Sequence, residues 1–205
     1  MYIPKVFAQK DLMQQHAIMQ NYSFASLITH YQGEIQISHV PTILDKEVGR
    51  YGRLAWHIAK VNPHADILAK VDEVLCIFQG PHHYISPVWY GKLPNVPTWN
   101  YAVVHAYGKA KLITQRELST DLTQLVANNE IPLHGADAYQ VPDTSKATLL
   151  DHIRGFRMEI SRLEAKFKLS QNKNSGVQEG VIQGLLQQAS PEAKALADLM
   201  QSIKK

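Results

Sequence analysis

The sequence has a single cysteine, no long apolar run and only a mild charge imbalance, and each of these features narrows what the protein can be. One cysteine, Cys76, excludes an intrachain disulfide and a cysteine-based zinc site. It lies in the apolar run VLCIF, which indicates a buried structural thiol. No run approaches the roughly 18 apolar residues of a membrane-spanning helix. The opening MYIPKVFAQKD lacks the apolar segment of a signal peptide, so we expect a soluble cytoplasmic protein with no membrane partner.

Catalytic and metal-binding motifs are also missing. The chain has no GxSxG elbow, P-loop, GxGxxG or HExxH motif. His82 and His83 are neighbours and would point to opposite faces of a strand, so they predict no metal site. We therefore expect no catalytic residue and no resident metal, and any redox chemistry would come from a bound cofactor. The formal net charge of +3 permits an anionic ligand but does not require one.

The hydrophobic pattern predicts many short strands and several helices. Strands are expected at 23–29, 34–40, 53–58, 73–79, 82–86, 101–113 and 156–169, and helices at 11–20, 65–70, 115–129, 146–152, 177–188 and 191–204. A turn at Gln32-Gly33 would join the first two strands into a hairpin, and in the second strand Ile35, Ile37 and His39 share one face. Residues 130–144 are expected to form an ordered loop.

This order of elements predicts a mainly β protein of the α+β class. The simplest arrangement is a small antiparallel barrel with peripheral helices. We expect one domain over residues 1–186 and a C-terminal helical extension over residues 187–205.

The stretch FQGPHHYISPVWYGKLPNVPTWNYAVVH, residues 78–105, concentrates the aromatic and imidazole side chains. It contains two of the three tryptophans and three of the nine tyrosines, and residues 87–100 are expected to form a loop. An aromatic loop on a rigid scaffold is a usual place to hold a flat ligand or a partner subunit. The alternative is an aromatic plug that closes the β core.

The segment HIAKVNPH, residues 57–64, predicts an anion site where a strand ends and a short helix begins. Pro63 biases Asn62 away from the helical region, and the start of a helix offers free amide groups. Lys60 adds a charge, and it shares one strand face with Asn62, whereas His57 faces the other way. The alternative is a solvated lysine beside a turn.

Residues 154–173 are the most basic part of the chain, with six lysines and arginines against Glu159 and Glu164. A basic strand could follow a nucleic-acid backbone. The alternatives are a solvated outer face or charges that line a ligand site. No helix-turn-helix is evident, because the predicted helix at 115–129 has Arg116 as its single base.

Several blocks together resemble a known family. These are MYIPKVF, HVP at 39–41, HIAKVNPH, FQGPHHYISPVWY, VPTWNYAVVHAYG and RLEAKFKLSQNK at 162–173. In this order they are similar to the FMN-binding negative transcriptional regulators of the PaiB type. The similarity extends to about residue 186 and covers most of the chain.

The resemblance implies an FMN-binding split β-barrel, a homodimer with FMN at the subunit interface, and a role as a transcriptional repressor with DNA as a candidate partner. Lys60 and Asn62 are expected to hold the FMN phosphate, and Trp99 is expected at the interface. The candidate FMN contacts are His39, His57, Lys60, Asn62, Gln79, Trp99, Asn100, Tyr101, His105, Lys168 and Gln171. Two alternatives stay open: a flavin-dependent oxidoreductase, or a haem-binding split barrel, without direct DNA binding.

Overall fold

The computed structural model describes residues 1–91 and 95–203 and contains six strands and six α-helices within them. The strands are β1 Phe24–Tyr31, β2 Glu34–Asp45, β3 Arg53–Ala59, β4 Val74–Ile85, β5 Thr98–Leu112 and β6 Ile153–Lys168. The helices are α1 Leu12–Asn21, α2 His64–Leu68, α3 Gln115–His134, α4 Asp143–Leu150, α5 Ser175–Leu186 and α6 Pro191–Ile203. The strand order β1-β2-β3-β6-β5-β4 closes on itself as a barrel. The predicted α+β class is confirmed.

The β1–β2 hairpin forms at the predicted turn. Gln32 and Gly33 have φ angles of 52° and 87°, as a two-residue turn between twisted strands requires. The pairing runs from Tyr31 opposite Glu34 to Phe24 opposite Pro41. This register decides which side chains of β2 face inward.

One compact unit comprises residues 19–78 and 105–163. Its largest fully buried side chains include Phe78, Phe156 and Met158. Arg157 on β6 fastens α3 to the sheet, because its guanidinium donates to Asp121 at 2.7 and 2.9 Å and to Glu117 at 2.8 Å. These bonds hold the pKa of Arg157 above its ordinary value, chiefly through Asp121.

Helix α3 begins at a capping box and runs beyond its predicted end. The Thr114 hydroxyl accepts from the Glu117 amide, and the Glu117 carboxylate accepts from the Thr114 amide. The helix continues through Pro132 to His134 and is followed by Gly135, whose φ of 57° favours glycine. Part of the predicted loop at 130–144 is therefore helical. No helix of the described chain is both long and apolar enough to span a membrane.

The second compact unit comprises residues 1–18, 79–104 and the chain from residue 164 onward. Its helices α5 and α6 pack against each other and bury Leu185 and Leu196. Helix α6 starts as predicted, with the Ser190 hydroxyl accepting from the Ala193 amide at 3.3 Å. Its predicted last residue, Lys204, lies outside the described residues.

The two strands predicted at 73–79 and 82–86 are one continuous strand, β4. Gly80 and Pro81 suggested a break, but Gly80 serves close packing instead. A Cβ at this position would lie 3.0 Å from Ile18 Cδ1 and 3.1 Å from the Ala102 carbonyl oxygen. The loop predicted at 87–100 includes a 3₁₀ turn at Pro87–Tyr90, and β5 begins at Thr98. Residues 92–94 of that loop lie outside the described residues.

The single cysteine has the predicted environment. Cys76 is a free thiol within β4 and is completely buried. Burial raises the pKa of the Cys76 thiol far above its ordinary value, because a thiolate would lose its hydration there. The residue therefore acts as a small apolar core group.

Trp89 occupies a groove on α5 that depends on two glycines. A Cβ at Gly184 would lie 2.3 Å from Trp89 Cδ2, and one at Gly180 would lie 2.3 Å from the Trp89 carbonyl oxygen. Substituting Gly184→Ala should cost about 1–3 kcal/mol of unfolding free energy, because the indole must shift. Gly176→Ala is the matched control on the same helix, since its nearest neighbour would be 3.6 Å away. Urea unfolding of both variants tests this, and equal stabilities would contradict it.

Candidate functional site

The outer face of the β1–β2 hairpin is apolar and exposed. Phe24, Ile35 and Ile37 have 69%, 66% and 57% of their surface accessible. Ser38, Val40 and Thr42 of β2 are buried instead. The half-buried strand predicted from the alternation exists, but its isoleucine face points outward. We refer to Phe24, Ile35, Ile37 and His39 as the hairpin face.

His39 lies on this face as part of a small aromatic group. Its ring stacks near Phe24 with 6.4 Å between centroids, and its Nδ1 lies 3.0 Å from the Ser26 hydroxyl. Ser26 is the residue opposite His39 in the hairpin register. The imidazole is thus oriented by a neighbour and remains accessible to a ligand.

A buried hydrogen-bond network joins the β3–α2 turn to the hairpin. The His64 ring lies between the hydroxyls of Thr29 and Ser38, at 3.0 and 2.9 Å. The Asn62 amide donates to the same Ser38 hydroxyl at 3.3 Å, and its oxygen accepts from the His64 backbone amide at 3.0 Å. Burial lowers the pKa of His64, which favours a neutral ring. The network places the turn beside Ser38, the chain neighbour of His39.

The free amide groups expected at the start of α2 are engaged within the chain. The His64 amide donates to the Asn62 side chain, and the Ala65 amide donates to the Asn62 carbonyl. An anion at this turn would therefore meet the exposed side chain of Lys60 rather than the free amide groups of a helix terminus. The Lys60 backbone is held by its amide, which donates to the His152 carbonyl at 2.8 Å.

His57 is half-buried under α3. Thr42 pairs with Trp56, so Pro41 and His57 are the next residues across β2 and β3, and both line a small pocket against α3. Burial lowers the pKa of His57. The ring does not join the Asn62 network, as the strand alternation predicted. His105, also in this unit, lies 3.4 Å from the Tyr107 hydroxyl through Nδ1.

The unit that contains α5 and α6 holds a second, polar cavity of about 170 Å³. Asn100 lines it and is 1% exposed, donating to the Ser170 hydroxyl at 2.9 Å. Its Oδ1 accepts no hydrogen bond from the described part of the chain. Lys168 and Lys173 line the same cavity. Buried oxygen beside two ammonium groups suits a polar or anionic ligand.

Lys168 and Gln171 are engaged with the backbone around this cavity. The Lys168 ammonium donates to the Trp99 carbonyl at 2.6 Å and to the Thr98 hydroxyl. Burial, and then the nearby Lys166, lower the pKa of Lys168. The Gln171 side chain donates to the Phe167 carbonyl and accepts from the Leu169 amide. Gln171 thus supports the turn at Ser170, which has a positive φ of 61°.

Trp99 is a surface residue of this unit, with 53% of its area exposed. Tyr84 meets it edge-on with 6.2 Å between centroids, and His82 lies at 6.3 Å. Trp99 is therefore not part of an aromatic plug that closes the β core, which was the alternative predicted from the sequence. Tyr101 is half-buried with the Lys166 ammonium 5.5 Å from its ring centroid, and Gln79 is exposed on β4.

The predicted contacts thus form two groups, one in each unit. Asn62 reaches the buried side of β2 through Ser38, whereas His39 lies on the exposed side of that strand. Lys60 is exposed at the β3–α2 turn, and His57 and His105 have separate surroundings. Gln79, Trp99, Asn100, Tyr101, Lys168 and Gln171 belong to the other unit. Sequence reasoning missed Phe24 as part of the hairpin face. The available signal was its position opposite Pro41, which requires the register.

Comparison with known proteins identifies the class. Residues 1–162 match the family described as "Putative FMN-binding domain". The protease synthase and sporulation protein PAI 2 of Bacillus subtilis (strain 168) is 36% identical, covering 98% of this chain and 97% of its own. An uncharacterized protein of Emericella nidulans is 30% identical and covers 98% of this chain and 96% of its own. The chain belongs to this FMN-binding family, and FMN is its cofactor.

Solved structures agree on the fold. The flavocytochrome Anf3 from Azotobacter vinelandii superposes with a TM-score of 0.61 at 15% identity, covering 81% of this chain and 72% of its own. The FAD and heme binding protein from Mycobacterium smegmatis gives 0.59 at 13% identity, covering 78% and 73%. At these identities the likeness concerns the fold alone.

The residues of the hairpin face fit a flavin. An isoalloxazine ring needs an apolar surface with polar groups at its edge, and Phe24, Ile37 and His39 present both. A phosphate needs a cation, and the exposed Lys60 of the β3–α2 turn is one. The chemistry of this donor set is therefore compatible with FMN.

Proposed function

We propose that the protein is an FMN-dependent negative regulator of transcription of the PaiB type, acting as a homodimer. Membership of the FMN-binding family and the similarity to the sporulation protein of Bacillus subtilis support this. The observation that carries the proposal is the exposed hairpin face. An accessible apolar surface of this kind is typical of a site that a ligand or a partner covers.

In this proposal the hairpin face receives the flavin ring and Lys60 holds the phosphate. Bound FMN supplies an acceptor of one or two electrons. Hydrogen bonds to a charged group contribute roughly 1.5–3 kcal/mol each. Two or three of them, with burial of the ring, account for a micromolar complex of about −8 kcal/mol. The role of the chain is to bind and orient the ring, since no catalytic constellation accompanies it in the described residues.

The homodimer is proposed from the same surface. Isolated exposed isoleucines are common, but Ile35 and Ile37 are adjacent on one face of β2, and Phe24 lies on the same face opposite Pro41. Covering them with a second copy would remove their apolar area from water at about 25 cal/mol per Å². Trp99 and Tyr84 form a separate exposed aromatic pair that a partner could also cover.

DNA contact through β6 is not part of the proposal, because the three arginines of this strand are already paired with carboxylates. Arg154 pairs with Asp66, Arg157 with Asp121 and Glu117, and Arg162 with Glu73. These pairings reduce the positive potential that a phosphate backbone would meet. The basic strand therefore serves the fold first, and DNA recognition would need another surface.

The phosphate role of Lys60 has a direct test. Lys60→Ala should weaken FMN about tenfold or more while changing riboflavin affinity little, because riboflavin lacks the phosphate. Flavin fluorescence titration measures both. Lys70→Ala is the matched control, an exposed lysine just beyond α2. Asn62→Ala is a second variant, but it also breaks the bonds to Ser38 and His64. Equal losses for both flavins in Lys60→Ala would place the phosphate elsewhere.

The subunit contact can be tested on the hairpin face. Ile37→Ser should raise the dimer dissociation constant at least tenfold, because a central apolar contact is lost. Leu133→Ser, a change at another exposed aliphatic residue, should leave it unchanged. Trp99→Ala tests whether the exposed Trp99–Tyr84 pair contributes to the dimer dissociation constant, and this variant should leave the fold intact. Sedimentation over a concentration series reports the result, and a monomeric wild-type protein would refute the homodimer.

The regulatory role is tested by DNA retention. The FMN-loaded protein should retain a promoter fragment specifically, and the retention should decline steeply between roughly 50 and 200 mM salt, as expected for phosphate contacts. A fragment of equal length and unrelated sequence is the control. No retention, together with steady NAD(P)H consumption by the flavin-loaded protein, would favour the oxidoreductase alternative.

A further inference from the structure

The polar cavity of about 170 Å³ in the unit that contains α5 and α6 has the composition of an anion site. The polar residues Thr98, Asn100 and Asn172 line it together with Lys168 and Lys173. Among the described residues, no aspartate or glutamate belongs to the lining. One water needs about 10–15 Å³, so a small ion fits here together with its remaining hydration.

The two ammonium groups at this cavity have neutral partners. Lys168 donates to the Trp99 carbonyl and to a threonine hydroxyl, and Lys173 lies over the Tyr90 ring with 5.5 Å to its centroid. Neither lysine is paired with a carboxylate in the part of the chain that the structure describes. Burial and then the nearby Lys166 lower the pKa of Lys168, as expected where no negative charge stabilises the ammonium. The positive charges of the site are therefore not compensated within the protein.

Asn100 adds a buried hydrogen-bond acceptor. Its amide nitrogen donates to the Ser170 hydroxyl at 2.9 Å and lies 3.7 Å from the Met200 sulfur. Its Oδ1 accepts no hydrogen bond from the described residues, although the side chain is almost completely buried. An unpaired buried acceptor is costly, so a ligand that donates a hydrogen bond to Oδ1 is favoured over one that only accepts.

We propose that this cavity binds inorganic phosphate, with its anionic oxygens at Lys168 and Lys173 and a P–O–H group that donates to Asn100 Oδ1. Two positive charges match the doubly charged hydrogen phosphate ion. Sulfate has the same charge and shape but carries no proton near neutral pH, so it cannot satisfy Oδ1. A phosphate monoester loses its last phosphate proton above about pH 6, whereas inorganic phosphate still has one at about pH 8. These residues belong to a different compact unit from the hairpin face.

Calorimetric titration of the FMN-loaded protein at about pH 8, in a buffer without phosphate, tests the proposal. Inorganic phosphate should bind once per chain. Sulfate and methyl phosphate should each bind about tenfold more weakly, because both leave the buried acceptor unsatisfied. Asn100→Leu should reduce the preference for phosphate over sulfate to less than about twofold while sulfate still binds. Absence of phosphate binding, or equal binding of phosphate and sulfate to the unaltered protein, would overturn the proposal.

Lysine variants locate the bound ion. Lys173→Met should weaken phosphate and sulfate equally, by at least about fivefold, because it removes a charge and leaves the acceptor unchanged. Lys194→Met, a change at an exposed lysine of α6 in the same unit, is the matched control and should bind phosphate normally. FMN affinity is measured in the same samples and should stay constant, so failure of this site is distinguished from failure of the flavin site. Phosphate binding that Lys173→Met leaves unchanged, or that excess FMN abolishes, would refute the proposal.

Discussion

The hydrogen bonds of one buried imidazole organise the part of the barrel that carries the proposed flavin site. His64 takes partners from β1 and β2 through Thr29 and Ser38, and Asn62 adds a third group to the same cluster. Buried polar groups without partners cost about 1–3 kcal/mol each, so these side chains depend on one another. The same bonds fix the turn that carries Lys60, because Asn62 links this turn to β2. Removing the imidazole would take this partner from the buried Thr29 hydroxyl and leave the Ser38 hydroxyl with Asn62 alone.

Most of the fold could be predicted from the sequence because its strands and turns carry local signals. The hairpin follows from Gln32-Gly33, the start of α6 from Ser190-Pro191, and the buried thiol from the run around Cys76. Each depends on neighbouring residues, where propensity and periodicity are informative. The sequence also identifies the aromatic stretch at 78–105, but its residues have different environments. Trp89 packs on α5, whereas Trp99 is exposed.

The orientation of β2 could not be predicted because its buried polar residues find partners far along the chain. Ser38 is buried against His64, and the Thr42 hydroxyl donates to the Ser23 carbonyl at 2.9 Å. Alternation alone favours burying isoleucine over serine, and only these distant bonds reverse that preference.

The unit that contains α5 and α6 is built from three segments that are far apart in the sequence, and this has a consequence for folding during synthesis. The Gln9 amide donates to the Ala165 carbonyl at 3.0 Å, and the bridge between Ala8 and Lys166 extends the same contact. Ala8 and Gln9 therefore lack these partners during synthesis until residues 156 to 158 positions further along the chain have been translated. Contacts so distant in sequence form slowly, since loop closure must precede them. The growing chain therefore leaves the segment before α1 without its β6 partners until late in translation, an interval in which a chaperone has access to it.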